Sequence, residues 1–442
     1  MNVNSSIIIF LSFIELSRAL MNNPYRGPST LLTKFLQEQH VPSAPPDGVI
    51  IVNHEMELVH IIALDELKQT MRVLVYVVQE WNDPSLSWDP QNFANLTHTW
   101  LPINTVWIPD IIVFNMLEHS ELLKAVRTPV KIEYTGRVTF TYPAIYAVMC
   151  ELKIKDFPFD DQSCTLRVAS WGYDQEKILM NASNKAHLEH YLCNEEWALR
   201  NVGITNATYQ HEGLVVSEVE YEISVRRKPL FYMITLVLPS YIICILSVAG
   251  LFAHFSTKNE RQERFTLGVT AILTMAVLSL VVAEKVPHSS EEVPLMVVYF
   301  HFNIITVTMA TVFTSTVMRV HWKGLQRRGA PPPWILRALY IKEHEESHKD
   351  DDEGIEEDVE GDLPSTSCGV PKLNPNRNQG LRRKLRHSII KSEQWHSISR
   401  RLDYLLTFIF ILLITGPTLY MFYKNHERME DGHGGLVRAC QF

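Results

Sequence analysis

Four long apolar stretches constrain the fold of this chain of 442 residues. They are Phe231–Phe252, Glu263–Glu284, Pro294–Val317 and Tyr404–Tyr423. Each is long enough to cross the hydrocarbon core of a bilayer as a helix, which takes about 20 residues. The sequence therefore predicts an integral membrane protein with four membrane helices.

The other segments predict how the chain is oriented. Three glycosylation sequons, at Asn95, Asn181 and Asn206, precede the first stretch, as expected of an extracellular domain. Basic residues crowd the connection between the third and fourth stretches, as the positive-inside rule expects of cytosol. The run SIIIFLSFIEL near the start is short for a crossing and indicates a secretory signal.

These features predict the order of the segments. It is a signal peptide over 1–22, an extracellular β-sandwich over 23–229, three membrane helices within 230–322, a partly disordered cytoplasmic loop over 323–402, a fourth membrane helix over 403–424 and an extracellular tail over 425–442. The acidic run HEESHKDDDEGIEEDVEGDLPSTS lies in the cytoplasmic loop and is typical of a solvated linker.

The extracellular segment has the pattern of an all-β domain. Short β-rich runs with period-two alternation, such as RVLVYVVQEW and VVSEVEYEISVRR, are separated by clusters of Pro, Asn, Asp and Gly. This pattern favours a sandwich of two sheets. The amphipathic stretch STLLTKFLQEQ ahead of it predicts a helix capped by Ser29 or Thr30. The predicted fold class is an extracellular all-β sandwich followed by a four-helix transmembrane bundle.

Compartment restricts which cysteines can form disulfides. Cys244 lies in a membrane stretch and Cys368 in the reducing cytosol, so neither is a candidate. The extracellular cysteines are Cys150, Cys164, Cys193 and Cys440. The first two bracket ELKIKDFPFDDQS, and closing a loop of that size would contribute about 3 kcal/mol by restricting the unfolded chain. The pairing of the last two stays open.

Several motifs resemble those of the Cys-loop pentameric ligand-gated ion channels. Two cysteines bracket FPFD, and four membrane stretches follow with a long cytosolic loop before the last. The motifs HIIALDELKQT, QEWNDPSLSWD, WIPDIIVFN, SWGYD and RRKPLFYMITLVLPS extend the resemblance over nearly all of the chain except the signal region and the cytosolic insert. The nicotinic acetylcholine receptor branch is the most similar.

The resemblance implies a function and its partners. It implies a homo- or hetero-pentamer of related subunits in the postsynaptic plasma membrane, opened by a small neurotransmitter-like agonist, such as acetylcholine or another amine, that binds the extracellular ligand-binding domain. The channel would conduct monovalent cations, with its permeability to divalent cations left open. Membrane lipid is a further partner, whereas no cofactor, metal or nucleic acid and no enzymatic activity is expected.

The second apolar stretch carries a polar stripe. Its members step by three and four residues, and they are Glu263, Thr266, Thr270, Leu273, Val277, Leu280 and Glu284. This spacing puts them on one helix face about 30 Å long with a carboxylate at each end. Such a face suits a water-filled pore, because lipid would make its charges expensive. The alternative is an ordinary bundle helix whose glutamates are interfacial and whose threonines bond their own backbone.

The resemblance assigns roles along this stripe. Glu263 would form the inner acidic ring and Glu284 an outer ring, with the two threonines offering hydroxyls to the ions. Leu273 would be the hydrophobic gate, and the two apolar residues beyond it would extend the constriction. Anion-selective members typically place Pro-Ala before the basic residue that begins this helix. Here Gln262 and Glu263 precede Arg264, which favours cation selectivity.

The family binds its agonist between two subunits in a box of aromatic side chains, since aromatic faces attract cationic amines. Trp171 corresponds to the central tryptophan, Phe114 to a loop tyrosine and Tyr209 to the first tyrosine of the capping loop. Tyr76 stands in place of a tryptophan on the complementary face of the neighbouring subunit.

The capping loop departs from that of an acetylcholine-binding α subunit. His211 and Glu212 stand where two adjacent cysteines would be, and Val216 replaces a second tyrosine. Three alternatives stay open. The box binds a different small amine, or the subunit contributes only a complementary face to a hetero-pentamer, or gating is by protonation of His211 beside Glu212.

The resemblance also predicts residues that couple the ligand domain to the pore. They are Glu66 or Asp65 in ALDEL, Phe157, Pro158, Phe159 and Asp160 of the FPFD tip, Arg227 before the first membrane stretch and Pro287 in EKVPHSS. A carboxylate and arginine pair at such a junction could re-pair between closed and open states. The alternative is that these charges only hold two domains together.

Other classes of protein fit less well. An enzyme is disfavoured, because the sequence lacks a phosphate-binding glycine loop and metal-ligand spacing among its histidines. An adhesion receptor would not need a membrane helix with acidic ends and a hydroxyl stripe. A silent auxiliary subunit of a hetero-pentamer would share every feature above. The basic amphipathic stretch GLRRKLRHSIIKSEQWHSISRRLD resembles the membrane-associated helix of the family and runs into the fourth apolar stretch.

Overall fold

Two β-sheets occupy most of the chain before the first membrane stretch in the computed structural model, which describes residues 27–120, 128–253, 260–284, 292–326, 331–339 and 375–432. The strands are β1 (Ile50–Asp65), β2 (Thr70–Asn82), β3 (His98–Leu101), β4 (Ile111–Val113), β5 (Met116–Ser120), β6 (Val130–Glu133), β7 (Arg137–Met149), β8 (Asp161–Ser170), β9 (Ile178–Asn181), β10 (Trp197–His211) and β11 (Leu214–Arg227). One sheet has the order β3-β6-β7-β2-β1-β9 with β5 beside β7, and the other has the order β10-β11-β8-β4. The predicted all-β sandwich is confirmed.

Alternation along the strands explains how the two sheets enclose one core. Residues of β2 alternate between buried and more exposed positions, as a strand with one face on a core requires. Trp81 at its end packs edge-on against Trp107 with the ring centres 6.2 Å apart. Tyr221 of β11 reaches the opposite sheet, where its hydroxyl donates to the carbonyl of His54 at 2.9 Å. These large side chains fill the space between the sheets.

The predicted N-terminal helix is present, but the predicted cap is wrong. Helix α1 spans Pro28–Gln39, and Gly27 is its N-cap without a side-chain hydrogen bond. Pro28 explains the difference, because proline at the first helical position needs no acceptor for an N–H and fixes φ for the helix. Leu32 and Leu36 lie four residues apart on one face and are completely buried.

The hairpin between β10 and β11 has the shortest possible kind of turn. His211 pairs with Leu214, so only two residues connect the strands. Those residues, Glu212 and Gly213, have φ of 49° and 87°. Two positive φ values fit the right-handed twist of a hairpin. The segment that the resemblance identifies as the capping loop is therefore a tight, well-defined turn.

The four predicted membrane helices are confirmed as candidate spans at Leu230–Leu251, Glu263–Ala283, Leu295–Arg319 and Glu393–Arg428. The helices after the sandwich are α2 (Leu230–Tyr232), a π-helical turn (Met233–Val237), α3 (Leu238–Leu251), α4 (Glu260–Ala283), α5 (Leu295–Gln326), α6 (Pro333–Ala338) and α7 (Pro375–Gly432). The π turn was not predicted. It lies just before Pro239, and a wider turn accommodates a ring that offers no N–H to the preceding turn.

The chain divides into two compact units. One holds the β-sandwich together with Ala283–Met296 and the end of α7 from Lys424, and the other holds Tyr232–Val282 and Val297–Tyr423. Helix α7 joins the basic amphipathic stretch to the fourth span without a break. In the helical unit, the Tyr299 hydroxyl lies 3.3 Å from Ser240 Oγ and 3.1 Å from Thr418 Oγ1. Such contacts satisfy polar groups that lipid cannot.

A close approach of α4 to α5 explains one glycine. A Cβ at Gly268 would lie 2.8 Å from Thr311 Cγ2 and still closer to its Oγ1. Thr311 is buried, and its hydroxyl donates to the Val307 carbonyl at 2.8 Å, so it cannot turn away easily. Only glycine therefore fits this crossing of the two helices.

We expect Gly268→Ala to destabilise the protein by about 1–3 kcal/mol through overpacking, although alanine is the better helix former. The melting temperature of the detergent-solubilised protein, followed by size-exclusion chromatography, measures this. Adding Thr311→Ala removes the clash and should recover most of the loss. An unchanged melting temperature in the single variant would contradict the tight crossing.

Candidate functional site

Three of the predicted ligand-binding residues meet at one sheet. Phe114 follows β4, Trp171 follows β8 and Tyr209 lies on β10, and these strands belong to the four-stranded sheet. The ring centre of Phe114 lies 5.7 Å from that of Trp171 and 5.5 Å from that of Tyr209. Trp171 is 71% exposed. We call Phe114, Trp171 and Tyr209 the aromatic cluster; it presents an open π face to a ligand.

The backbone beneath Trp171 is fixed by one carboxylate. Asp110 Oδ1 accepts from Ser170 Oγ at 2.5 Å, and its Oδ2 accepts from the Gly172 N–H at 2.7 Å. The N–H of Trp171 itself donates to the Asp110 carbonyl at 3.1 Å. Three hydrogen bonds to one residue hold the loop that presents the exposed ring. Any displacement of Asp110 would therefore displace Trp171.

A buried carboxylate lies behind the aromatic cluster. Glu218 of β11 is 5% exposed, and burial raises its pKa, with Arg167 opposing and Glu220 adding to the shift. The pKa of Tyr209 is raised by burial and further by the Glu218 carboxylate. The negative potential behind the rings favours a cationic ligand over an anionic one.

The capping turn supplies less to the cluster than the resemblance implies. The His211 ring centre lies 6.5 Å from that of Tyr209, and its side chain is exposed. Among the described residues no ion pair joins His211 to Glu212, although the two are adjacent. Val216 is buried and pairs across the hairpin with Tyr209. The turn therefore covers the aromatic cluster with one imidazole and no second ring.

Tyr76 lies on the other sheet, away from the aromatic cluster. It is 38% exposed and packs edge-on against His190, with ring centres 6.0 Å apart. His190 Nδ1 lies 3.0 Å from Glu57 Oε1, and the His190 N–H also donates to that oxygen at 2.9 Å. Glu57 pairs with Tyr76 across β1 and β2. The separation is what a ligand site shared by two subunits requires.

Sequence reasoning missed His190 and Glu57. They are 133 positions apart, and neither stands in a motif that predicts their contact. The signal that could have found them is the pairing of β1 with β2, which places Glu57 beside Tyr76. His190 lies in the irregular segment between β9 and β10. Because this segment has no helix or strand, no periodic sequence pattern predicts where it runs.

The Cys loop adopts the predicted closed form. Cys150 and Cys164 form a disulfide with their Cα atoms 5.1 Å apart. Phe157, Phe159 and Asp160 at its tip are buried. Cys193 is disulfide-bonded as well, while Cys440 lies outside the described residues.

Arg227 is the centre of a buried charge cluster. Its guanidinium lies 2.6 Å from Glu66 Oε1, 2.9 Å from Asp160 Oδ1 and 2.8 Å from Glu196 Oε1. The ring centres of Trp197 and Phe157 lie 4.2 Å and 4.9 Å from its Cζ. These five residues and Arg227 are called the arginine cluster below. The arginine side chain is fully buried, so its desolvation must be offset by these carboxylates and π faces.

The arginine cluster resolves an alternative that the sequence left open. Glu66 is the carboxylate that binds Arg227, whereas Asp65 pairs with Lys68 at 3.5 Å. Arg227 ends β11, and the first membrane helix begins three residues later at Leu230. The cluster therefore fixes the point where the sandwich passes into the first membrane helix.

The Cys loop also caps helix α5. The N–H of Leu295 donates to the Lys155 carbonyl at 2.9 Å, and the N–H of Met296 donates to the Phe157 carbonyl at 3.3 Å. The first N–H groups of a helix have no partner within it, so the loop supplies acceptors that α5 needs. One loop thus binds the last residue of β11 and the first turn of a membrane helix. Pro287, predicted for the same layer, lies outside the described residues.

Helix α4 leaves its predicted stripe uncovered. Glu263 and Glu284 are exposed at the two ends, and so are the residues between them, which are Thr266, Thr270, Leu273, Val277 and Leu280. The opposite face is buried within the chain, and it includes Arg264, Gly268, Ala271, Met275 and Val282. Thr270 donates to the Thr266 carbonyl at 2.8 Å, as the alternative of backbone bonding expected, yet its side chain stays on the exposed face.

The three sequons lie at exposed positions of the sandwich. Asn181 Nδ2 donates to Asn53 Oδ1 at 2.8 Å, and the Asn206 amide bonds both backbone groups of Ala182. Asn95 follows a short 3-10 turn, and its own φ is 58°. Their use as glycosylation sites stays a prediction.

Comparison with known proteins identifies the class. Residues 28–229 match the neurotransmitter-gated ion-channel ligand binding domain, and residues 236–341 match the neurotransmitter-gated ion-channel transmembrane region. Proton-gated ion channel subunit pbo-6 of Caenorhabditis elegans is 53% identical over 95% of this chain and 92% of its own length. Acetylcholine receptor subunit alpha-type deg-3 of the same organism is 31% identical over 66% and 53%. Neuronal acetylcholine receptor subunit alpha-2 of Mus musculus is 34% identical over 66% and 56%.

The chain belongs to the family of neurotransmitter-gated ion channels. It is therefore a multi-pass membrane protein and a subunit of a ligand-gated ion channel, not an enzyme, and pentameric assembly fits this family. The chain spans about half the length of the two acetylcholine receptor subunits, whereas it matches the proton-gated subunit almost from end to end.

We expect Arg227→Gln to destabilise the sandwich by about 3–5 kcal/mol, because it leaves the buried Asp160 carboxylate and the partly buried Glu66 carboxylate without their cation. Arg226→Gln is the matched control, since that neighbouring arginine binds the partly exposed Asp161 and should cost at most about 1 kcal/mol. Surface biotinylation and thermal unfolding of the purified protein measure both. Equal losses in the two variants would contradict a central role for the arginine cluster.

Proposed function

We propose that this chain is a subunit of a cation-selective channel of the plasma membrane that protons open. The observation that carries the proposal is the capping turn. It is a two-residue hairpin that offers one exposed imidazole and no paired cysteines or second aromatic ring to the aromatic cluster. A quaternary amine would therefore be enclosed on fewer sides than in an acetylcholine-binding box.

Two further observations support proton gating. The relative that shares 53% of its residues over almost the whole chain is a proton-gated channel subunit. Titratable side chains also lie beside the predicted ligand-binding residues, with His211 beside Tyr209 and the pair of His190 and Glu57 beside Tyr76. Histidine changes charge in the range where mild acid acts.

Gating by a small amine is the second candidate. The aromatic cluster keeps its open π face on Trp171, and the buried Glu218 behind Tyr209 favours a cation. A protonated amine smaller than acetylcholine could bind this surface without a second capping ring. A purely auxiliary role in a hetero-pentamer would require neither agonist to act on this chain.

Voltage clamp of cells that express the chain alone, and together with a proton-gated relative, distinguishes these candidates. We expect an inward current when the external pH falls to about 6, near the ordinary pKa of histidine, and none with acetylcholine, choline or biogenic amines. Trp171→Ala removes the π face but keeps the backbone N–H that Asp110 holds, so it should leave the acid current in place.

The matched control is Trp100→Ala, which removes an exposed tryptophan from the other sheet. A current evoked only by an amine, and lost in Trp171→Ala but not in Trp100→Ala, would establish the amine-gated channel instead. Currents that are identical with and without this chain would indicate an auxiliary subunit.

Cation selectivity rests on the acidic ends of the exposed α4 face. In a pentamer, Glu263 would supply five carboxylates to one ring of the pore. We expect Glu263→Gln to lower single-channel conductance roughly twofold or more at low ionic strength and to shift the reversal potential toward that of chloride. Glu292→Gln, an exposed glutamate outside the helix, is the control. A reversal potential that follows chloride in the unmodified channel would contradict cation selectivity.

A further inference from the structure

A buried histidine connects helix α1 to the loop that carries Asp110. His40 directly follows α1 and is 6% exposed. Its Nδ1 lies 2.8 Å from Ser85 Oγ and 3.3 Å from Asp83 Oδ2, both in the turn after β2. Its Nε2 accepts a hydrogen bond from the backbone N–H of Trp107 at 3.0 Å. One imidazole thus joins three separate segments of the sandwich.

These contacts determine where the proton of the neutral ring resides. A backbone N–H can only donate, so Nε2 must carry a lone pair toward Trp107. The proton is therefore on Nδ1, which donates to Ser85 Oγ. A second proton would have to enter at Nε2, where it would oppose the N–H of Trp107. His40 cannot become an imidazolium and keep its bond to Trp107.

Asp83 offers the charged ring an alternative partner. Its Oδ1 accepts from the N–H and the hydroxyl of Ser85 at 3.0 Å and 2.7 Å. Its Oδ2 is buried and accepts no hydrogen bond among the described residues. An imidazolium that turned toward this oxygen would satisfy a buried acceptor and neutralise a buried charge.

Asp83 is the charge that acts on His40 among the described residues. Burial lowers the pKa of His40, and the carboxylate of Asp83 opposes this shift. The other charged groups on neighbouring segments face elsewhere: Lys34 and Glu38 are exposed on α1, Asp89 binds the N–H of Gln91, and Asp110 binds Ser170 and Gly172. The protonation state of His40 is therefore set by burial and by one carboxylate.

A short path leads from His40 to the aromatic cluster. Trp107 lies three residues before Asp110, which holds the backbone of Trp171 through three hydrogen bonds. Phe114 follows β4 in the same segment and contacts the Trp171 ring. Release of the Trp107 N–H would free the start of a loop whose other end positions the ligand site.

We propose that His40 is a proton-binding site of this channel and a positioning residue for its ligand site. Protonation turns the ring toward Asp83 and releases the Trp107 amide, and the altered loop changes how Asp110 positions Trp171. The inference rests on the proposed proton gating and names a sensor for it. Protons favour the open state because that state, with the imidazolium facing Asp83, binds them more tightly.

Other histidines of the sandwich lack this combination. His54 is completely buried with Nδ1 2.8 Å from the Tyr221 hydroxyl, and burial lowers its pKa to about 4, below the range of mild acid. His190 forms an exposed pair with Glu57, and such pairs contribute little energy. His40 alone among these three has both a buried carboxylate beside it and a backbone N–H that its protonation would displace.

Acid-evoked currents of the full-length chain, expressed with any partner that it needs, test the inference. His40→Asn replaces the imidazole with a shorter amide that has a donor and an acceptor but does not titrate. We expect the pH of half-maximal activation to move to acid by at least about half a unit, a threefold rise in proton concentration, or the acid current to be lost with normal surface protein. His98→Gln, which replaces an exposed histidine of β3, is the control and should leave this pH unchanged.

Two neighbouring substitutions should act in opposite directions. Asp83→Asn removes the countercharge of the imidazolium and should shift half-activation to lower pH. Ser85→Ala removes the neutral partner of Nδ1 and frees the carboxylate, so it should shift half-activation to higher pH. A merely structural role would change the size of the current without this pair of opposite shifts. If His40→Asn fails to reach the cell surface, the shifts of Asp83→Asn and Ser85→Ala still test whether His40 binds the activating proton.

The outcomes separate the inference from the proposed function. An acid current in the unmodified channel with the same half-activation pH in His40→Asn overturns the sensor but leaves proton gating intact. Shifts of Asp83→Asn and Ser85→Ala in the same direction likewise overturn it. The absence of an acid current in the unmodified channel, alone and with a proton-gated relative, overturns both.

Discussion

The burial of the Arg227 guanidinium determines the structure of the sandwich at the end of β11, just before the first membrane helix. Burial of the Arg227 guanidinium would be strongly destabilising without carboxylates around it. Glu66, Asp160 and Glu196 supply them, and they come from the turn after β1, the Cys loop and the segment before β10. The disulfide closes the loop that carries Asp160, and the same loop caps the first turn of α5. The last residue of β11 and the start of a membrane helix are therefore held by a single loop.

The two sheets divide the predicted ligand-binding residues in a way that suits a site between subunits. The aromatic cluster lies on the four-stranded sheet, while Tyr76, His190 and Glu57 lie on the other. Titratable groups are present on both, and His40 lies behind the loop that supports Trp171. A change of charge at His40 would act on the loop whose Asp110 holds the backbone of Trp171, which is how a proton could replace an organic agonist.

Most of the fold could be predicted from the periodic hydrophobic patterns and the local motifs of the sequence. The four spans, the sandwich and the disulfide of the Cys loop are correct, because apolar length, alternation and the bracketing cysteines are local signals. The cap of α1 was wrong, since Pro28 moves the helix start to Gly27. Of the candidate site, the sequence predicted the residues that stand in recognisable motifs. His40 and His190 were missed, because each acquires its partners from segments more than forty positions away.

We propose that protons, acting on the extracellular domain, open a cation pathway formed by this chain. Thallium influx into liposomes that contain the purified channel, recorded with an enclosed dye after the outside solution is acidified, tests this most directly. We expect rapid thallium entry on acidification, with no chloride flux under the same conditions. Liposomes that stay closed to thallium in acid, yet admit it when a small amine is added at neutral pH, would contradict it.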